Sequence, residues 1–517
     1  MAHNTYYGVN GVSRYVGKMY VGVDGVARKV FKAYIGIDGI ARLFFEDGSS
    51  VALHAMLYDD GSFVFQSSDV ADSGKTLVAT YSVNKTDKYT NASFVPWNSN
   101  MQNIVSVSFE NGFSATSISY WFYNAGNLTT SDLNGFDINN IIDMAYSFYY
   151  CYNLTGNPVC GNNVTNMVRT YYSCYNLTGN PVCGENVVNM RYTYQNCYNL
   201  TGNPVCGNSV IDMYGTYYNC FNLTGNPVCG NNVTNMVFTY QNCYNLTGNP
   251  VCGENVTNMY QAYNNCKNLT GNPVCGENVV DMYEAYDGCS GLTGSPVCGK
   301  NVTDMGRTYM FCWRLTGNPV CGENVTDMIG TYEYCSNLTG NPVCGKNVTR
   351  MSWTYYNCKN LTGNPVCGEN VTNMYQTYCN CYNLTGNPVC GNKVTDMRGT
   401  YYNCFNLIGS PVCGENVTNM INTYYNCPNL SGNAYFYSMN VSNVANCFYN
   451  RSASYRLNIY VISGSTTNTT VHYTDTYSLV GAAITWTDAG TYQYNTTYNI
   501  YIYPVENVAA AREANGD

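Results

Sequence analysis

Between residues 151 and 426 the apolar positions return at a fixed interval of 23 residues. That is far longer than the 3.6-residue period of a helix or the two-residue period of a strand. In "CYNLTGNPVCGNNVTNMVRTYYS" (151–173) the recurring apolar letters are Cys151, Leu154, Cys160, Val164 and Met167, with polar residues between them. The next unit returns them as Cys174, Leu177, Cys183, Val187 and Met190. A fixed period of this size predicts stacked units, each able to bury its apolar side only against its neighbours. A propeller blade needs about 40 residues, so one unit corresponds to one coil. The predicted fold class is mainly β with short helical or 3₁₀ turns: a leucine-rich-repeat-type solenoid of 23-residue coils, flanked by small β-modules.

Within a coil, "NLTGNPVC" (153–160) is the strand candidate, with its ladder interrupted at Pro158, which has no N–H to give. "NVTNMVRTYYS" (163–173) places Val164, Met167 and Tyr171 at spacings of three and four, which predicts a turn or two of 3₁₀ or α-helix. Leu154, Val164, Met167 and the two cysteine columns are expected to fill the interior, one rung per coil. At a strand spacing of about 4.7–4.9 Å, a dozen coils would make a rod of roughly 60 Å. Both ends of the array lose the pattern, as caps must. Segment 121–150 has Ala125 for the first cysteine, and 427–450 has Ala434, Tyr435 and Phe436 where Pro-Val-Cys is expected.

The flanks alternate instead. Residues 6–45 carry a second repeat, of period 14, in which Asn10-Gly11, Asp24-Gly25 and Asp38-Gly39 signal two-residue hairpin turns between β-branched neighbours, as in a small β-meander. The organisation read from these shifts is 1–48 hairpin repeats, 49–120 a β-rich lead-in, 121–150 and 427–450 caps, 151–426 twelve solenoid repeats, 451–505 a C-terminal β-module and 506–517 a tail.

The order Cys-x-x-Leu-Thr, then Val-Thr-x-Met, then an aromatic three residues before the next Cys resembles BspA-like leucine-rich repeats. It also resembles related bacterial surface repeats with a V-T-x-M-x-x-M-F signature, and the likeness covers about 120–450. The chain departs where that family's strand has aliphatics, at Asn157 and Pro158. The units "YVGVDGVARK" resemble N-terminal segments of tail-associated proteins of phages and prophages of gut bacteria. That resemblance implies attachment to other virion or tail proteins through the N-terminal β-repeats.

Composition narrows the chemistry. Charged residues are 11 % of the chain and the net charge is −9, so neither nucleic acid nor a membrane is an expected partner. The N-terminus shows no basic and apolar leader pattern, and no apolar run reaches the roughly 18 residues of a membrane span. The 27 cysteines, with three histidines and no C-x-x-C, fit neither a metal set nor facing disulfide partners. Their columns read as reduced apolar rungs, the alternative being disulfides formed on exposure to air. Asn-Leu-Thr (153–155) and Asn-Val-Thr (163–165) read as amide ladders and not glycan sites, since glycans on every coil would collide. Asp59-Asp60 in "YDDGS" reads as a turn, and Glu185 with its equivalents as a solvated column. No nucleophile elbow, metalloprotease helix or P-loop occurs, so no enzyme, cofactor or metal is expected.

What changes from coil to coil marks the candidate working surface. The residue after the first Cys is Tyr152, Tyr175, Tyr198, Phe221, Tyr244, then Lys267, Ser290, Trp313, Ser336, Lys359, Tyr382 and Phe405. After the Met come Arg169, Tyr192, Tyr214, Phe238, Tyr260, Tyr283, Trp353 and Tyr375. Positions free of the interior are expected to be exposed, and aromatics with arginine there suit binding of sugars or proteins. The competing readings are neutral drift and packing along the rod. The functional expectation is a phage tail-associated adhesin that binds a bacterial surface polysaccharide or protein, assembled in the host cytoplasm. The alternatives are a bacterial or protist BspA-like cell-surface adhesin and a structural virion fibre with no external ligand. An oligomer is compatible with the sequence, although no heptad pattern supports a coiled-coil trimer.

Overall fold

A computed structural model describes residues 53–131, 133–438 and 446–449, together with strands in both terminal segments. At the N-terminus, β1 (Tyr6–Val9) pairs with β2 (Val12–Tyr15), β3 (Met19–Val23) with β4 (Val26–Val30), and β5 (Lys32–Ile37) with β6 (Ile40–Glu46). Each is an antiparallel two-stranded ladder, so a unit of the 14-residue repeat pairs with itself and not with the next in a meander.

The lead-in forms a five-stranded sheet from β7 (Leu53–Tyr58), β8 (Ser62–Gln66), β9 (Leu77–Val83), β10 (Ser106–Phe109) and β11 (Thr130–Ser131), in the order β11-β10-β8-β7-β9. The alternation in β8 turns Phe63 and Phe65 inward. Phe65 stacks on Trp121 of the first coil at 5.1 Å and 7°. Trp97 donates its indole N–H to the Trp121 carbonyl at 2.6 Å. The sheet thereby continues the core of the array. Asp60 of the expected turn accepts from Ser62 and pairs with Lys75 at 2.8 Å.

From Ser117 to Asn419 every coil is bridged in parallel to the next, through residues 23 apart from Asp143 onward, such as Asn166, Asn189, Asp212 and Asn235. The bridge precedes the Met, not the expected strand at 153–160. Beyond it the chain divides its donors. The N–H groups of Met167, Arg169, Tyr171 and Ser173 donate to Asn189, Arg191, Thr193 and Gln195 of the next coil, at 2.7–3.0 Å. Those of Thr170 and Cys174 close turns onto Met167 and Tyr171 of their own coil. Each turn carries a left-handed residue at its third position, Arg169 at φ 52° and Ser173 at φ 58°. The helical turn expected here is therefore absent, because alternate N–H groups are spent on the neighbour. Among the described residues the helices are short 3₁₀ pieces at Ala92–Phe94, Asn98–Asn103 and Ile138–Asn140.

Leu154, Val164, Met167 and the first cysteine column are buried, as expected. The second column, from Cys160 to Cys390, is half-buried against the same core. Among the described residues no disulfide joins the cysteines. Cys197 donates its S–H to the Tyr171 carbonyl at 3.1 Å, and the column repeats this. Burial raises the Cys220 thiol well above its ordinary pKa and pushes Cys183 up to about 12, so both columns hold neutral thiols. The amides of the sequon column act as a ladder: Asn163 donates to the Asn139 carbonyl at 2.7 Å, and Asn186 to Asn162 at 3.0 Å.

The tyrosine seven residues after the Val lies inside, not on an outer turn. Tyr171, Tyr194, Tyr217 and Tyr240 are buried and stacked in parallel at 5.5–5.6 Å. Their hydroxyls explain the strand that does not form. The Tyr240 hydroxyl donates to the Val228 carbonyl at 2.6 Å and accepts from the Val228 N–H at 3.0 Å. A proline in every coil denies the neighbour one donor. The tyrosine bracket then satisfies the buried backbone groups next to it, which would otherwise be costly.

Where the proline stops, the strand appears. Ala434 occupies the proline position, and β12 (Val412–Cys413) pairs in parallel with β13 (Gly432–Phe436). Tyr424, whose bracket would be Val412, has no partner for its hydroxyl. The sheet runs on in parallel through β14 (Leu457–Ile462). A separate hairpin pairs β15 (Asn468–Asp475) with β16 (Ser478–Thr485). Next to β14 lies β18 (Tyr498–Tyr503), parallel to it, with β17 (Gly490–Gln493) antiparallel at the edge.

Candidate functional surface

The residue after each first Cys leaves the interior just as the chain turns, and a period of one coil stacks these side chains on one another. Tyr152, Tyr175, Tyr198, Phe221 and Tyr244 form a continuous column with ring centroids 4.8–5.1 Å apart. The Lys267 ammonium lies 4.9 Å from the Tyr244 ring and ends it. The column resumes at Tyr382 and Phe405, 4.9 Å apart, with the Lys359 ammonium 5.8 Å from the Tyr382 ring. Between these stretches stands Trp313, 51 % exposed.

The positions after the Met form a second column. Tyr192, Tyr214, Phe238 and Tyr260 meet edge to face at 5.0–5.4 Å, and Tyr260 stacks on Tyr283 at 5.3 Å. Trp353 meets Tyr375 edge to face at 5.1 Å. Arg169 lies against the rings of Tyr146, Tyr172 and Tyr192 at 5.0–5.8 Å. The expectation of free, exposed side chains therefore holds for Trp313, Lys267 and Lys359, while Arg169 and the other aromatics are half-buried. The cause is the repeat itself, since a ring placed every 23 residues finds its equivalent within stacking distance.

Left-handed backbone is the feature the sequence did not reveal. The second position after each Met has positive φ in coil after coil, from Arg169 to Asn422. Gly215, Gly330 and Gly399 occupy it without cost. Tyr192 (56°), Phe238 (55°) and Trp353 (57°) occupy it against the preference of large side chains. A further varying position was missed: Tyr172, Gln195, Tyr218, Gln241, Asn264, Asp287, Met310, Glu333, Tyr356, Cys379, Tyr402 and Tyr425. Its variability was the available signal. Beside it an asparagine ladder runs through left-handed residues, Asn219 donating to Asn196 and Asn242 to Asn219, both at 2.8 Å.

Along the array this surface changes character. Around Glu284 it is polar and acidic: Arg307 pairs with Glu284 at 3.3 Å, and the Asn264 amide reaches both Glu284 and Asp287 at 3.4 Å. Burial first, and the nearby Glu284 charge second, push the Asp287 carboxyl up to about 7. Among the described residues no group of three or more His, Cys, Asp or Glu is placed to hold a metal. No helix there is long and apolar enough to cross a membrane.

The family model described as "Mycoplasma protein of unknown function", DUF285, matches residues 116–226. The matched stretch covers the first coils of the array and agrees with the BspA-like repeat pattern read from the motifs. No curated protein and no solved structure matches the chain.

Proposed function

We propose that the chain is an adhesin: a leucine-rich-repeat-type solenoid whose outer columns bind a bacterial surface glycan or protein. What carries this reading is the left-handed position after the Met. Glycine and asparagine suit that backbone, and Gly215 and Asn422 stand there, yet so do Arg169, Tyr192, Phe238 and Trp353. Drift would drain large side chains from strained positions, so keeping them favours a use for the side chains themselves. Contacts repeated from coil to coil would be weak singly and strong together.

In the finer form of the proposal the N-terminal β-hairpins attach the chain to a phage tail. The rival is a BspA-like protein of a bacterial surface, which the DUF285 match favours. A structural fibre with no external ligand is the third reading. The test is saturable binding of the full chain to bacterial cells, compared with a variant carrying Phe238→Asn and Trp353→Asn. Asparagine keeps the left-handed turns, so binding should fall while thermal unfolding stays the same. Equal binding by both proteins would remove this column from the proposal. Antibody labelling would then show whether the native protein sits on virions or on cells.

A further inference from the structure

One stretch of the outer face opens into a groove of about 350 Å³, walled by Tyr356, Tyr375, Tyr402, Asn380, Arg398 and Asn422. Gly399, at φ 61°, forms its floor. The same position carries a side chain one coil before, Gln376, and one coil after, Asn422. Of the other glycines in this column, Gly330 is overlaid only by side-chain atoms of Arg307 and Glu333, at 3.2 Å, whereas Gly215 is closed off. A Cβ built on Gly215 would lie 2.6 Å from the Tyr192 ring, which already fills that space. At Gly399 the nearest neighbour is the flexible Cγ of Gln376, at 3.1 Å.

The walls are fixed in place. Tyr402 stacks on Tyr425 at 4.5 Å and 6°, and Tyr375 is held edge-on by Trp353. The Arg398 guanidinium lies 4.8 Å from the Tyr375 ring and is forked onto its own neighbour Asp396, with contacts of 2.7–3.1 Å. Asp396 already offsets the Arg398 charge, so the groove does not favour negative charge. Asn380 and Asn422 add side-chain amides to the aromatic walls. Rigid aromatic faces, side-chain amides and a charge already neutralised suit a ring with apolar C–H faces and hydroxyl edges.

We propose that the groove floored by Gly399 is a binding site for an uncharged saccharide unit. The proposal rests on the adhesin reading and names the ligand class for one of its sites. The full chain would be titrated calorimetrically with neutral tetrasaccharides of β-1,4-linked glucose and of β-1,4-linked N-acetylglucosamine, and with a polygalacturonate oligomer. Two variants accompany it. Gly399→Trp fills the groove with a residue that Trp353 shows this backbone accepts, and Tyr402→Ser removes a wall; thermal unfolding checks that both fold. At least one neutral oligosaccharide should bind, and both variants should weaken it roughly tenfold or more. Three outcomes overturn the proposal: no neutral oligosaccharide binds at millimolar concentration, both variants bind it as tightly as the parent, or only polygalacturonate binds. Whole-cell binding by the same preparations separates the two claims. Cell binding without saccharide binding sinks the groove and leaves the adhesin, whereas loss of both sinks both.

Discussion

Two columns of stacked aromatics run along the array, and their difference separates what holds the molecule together from what it displays. The inner column, Tyr171 through Tyr424, is tyrosine in every coil, buried, with rings 5.3–5.7 Å apart. The outer column begins as tyrosine too, at 4.8–5.1 Å, then drifts through phenylalanine, lysine, serine and tryptophan. Stacking is common to both and cannot explain why only one is constant. The hydroxyl can. Inside, from Tyr171 to Tyr401, it is both donor and acceptor for the valine after the proline. Phenylalanine would stack equally well and leave that backbone unsatisfied. No such backbone valine constrains the outer rings.

The sharpest way to break the comparison is Tyr240→Ala, which removes a buried ring and its bracket together. A loss of about 3–5 kcal/mol is expected in a denaturant melt of the full chain. An outer change of the same kind, Tyr198→Ala, should cost well under half of that. Next in size is Asp287→Asn. The folded protein holds the Asp287 proton up to about pH 7, while the unfolded chain releases it near pH 4. The penalty for ionising it is thus absent below about pH 4, grows as pH rises, and is complete above 7. Asparagine should therefore stabilise at pH 8, by up to about 4 kcal/mol, and do little at pH 4. Equal effects at both pH values would show that Asp287 is not protonated in the fold.

Smaller, and more specific to the bracket, is Tyr240→Phe set against Tyr424→Phe. The first leaves the Val228 N–H and carbonyl unpaired and should cost about 1–3 kcal/mol. The second removes a hydroxyl that has no partner and should stay within about 0.5 kcal/mol. Matching losses would mean the hydroxyl bracket contributes nothing to stability.

The period and the apolar rungs were legible from the letters alone, because each is a property of positions repeated in register. The strand at 153–160 was misread because its replacement, a hydroxyl reaching back twelve residues to a valine, is a contact between segments that no local pattern records. The helical turn failed for a related reason. Val164, Met167 and Tyr171 do face one way, but alternate N–H groups bond to the next coil, and a single coil's sequence says nothing of its neighbour's donors. Arg169 and Phe238 give no hint of left-handed backbone, since only Gly215, Gly330, Gly399 and Asn422 at that position carry a signature.

The decisive measurement pairs cell binding with thermal unfolding for two variants of the full chain. One carries Tyr175→Ser, Tyr198→Ser and Phe221→Ser in the outer column, and the other carries Tyr240→Phe in the inner. The outer variant is expected to lose saturable binding to bacterial cells while unfolding within about 4 °C of the parent. The inner variant, still folded, should bind as the parent does and unfold earlier. An outer variant that binds like the parent would contradict the assignment of display to the outer face.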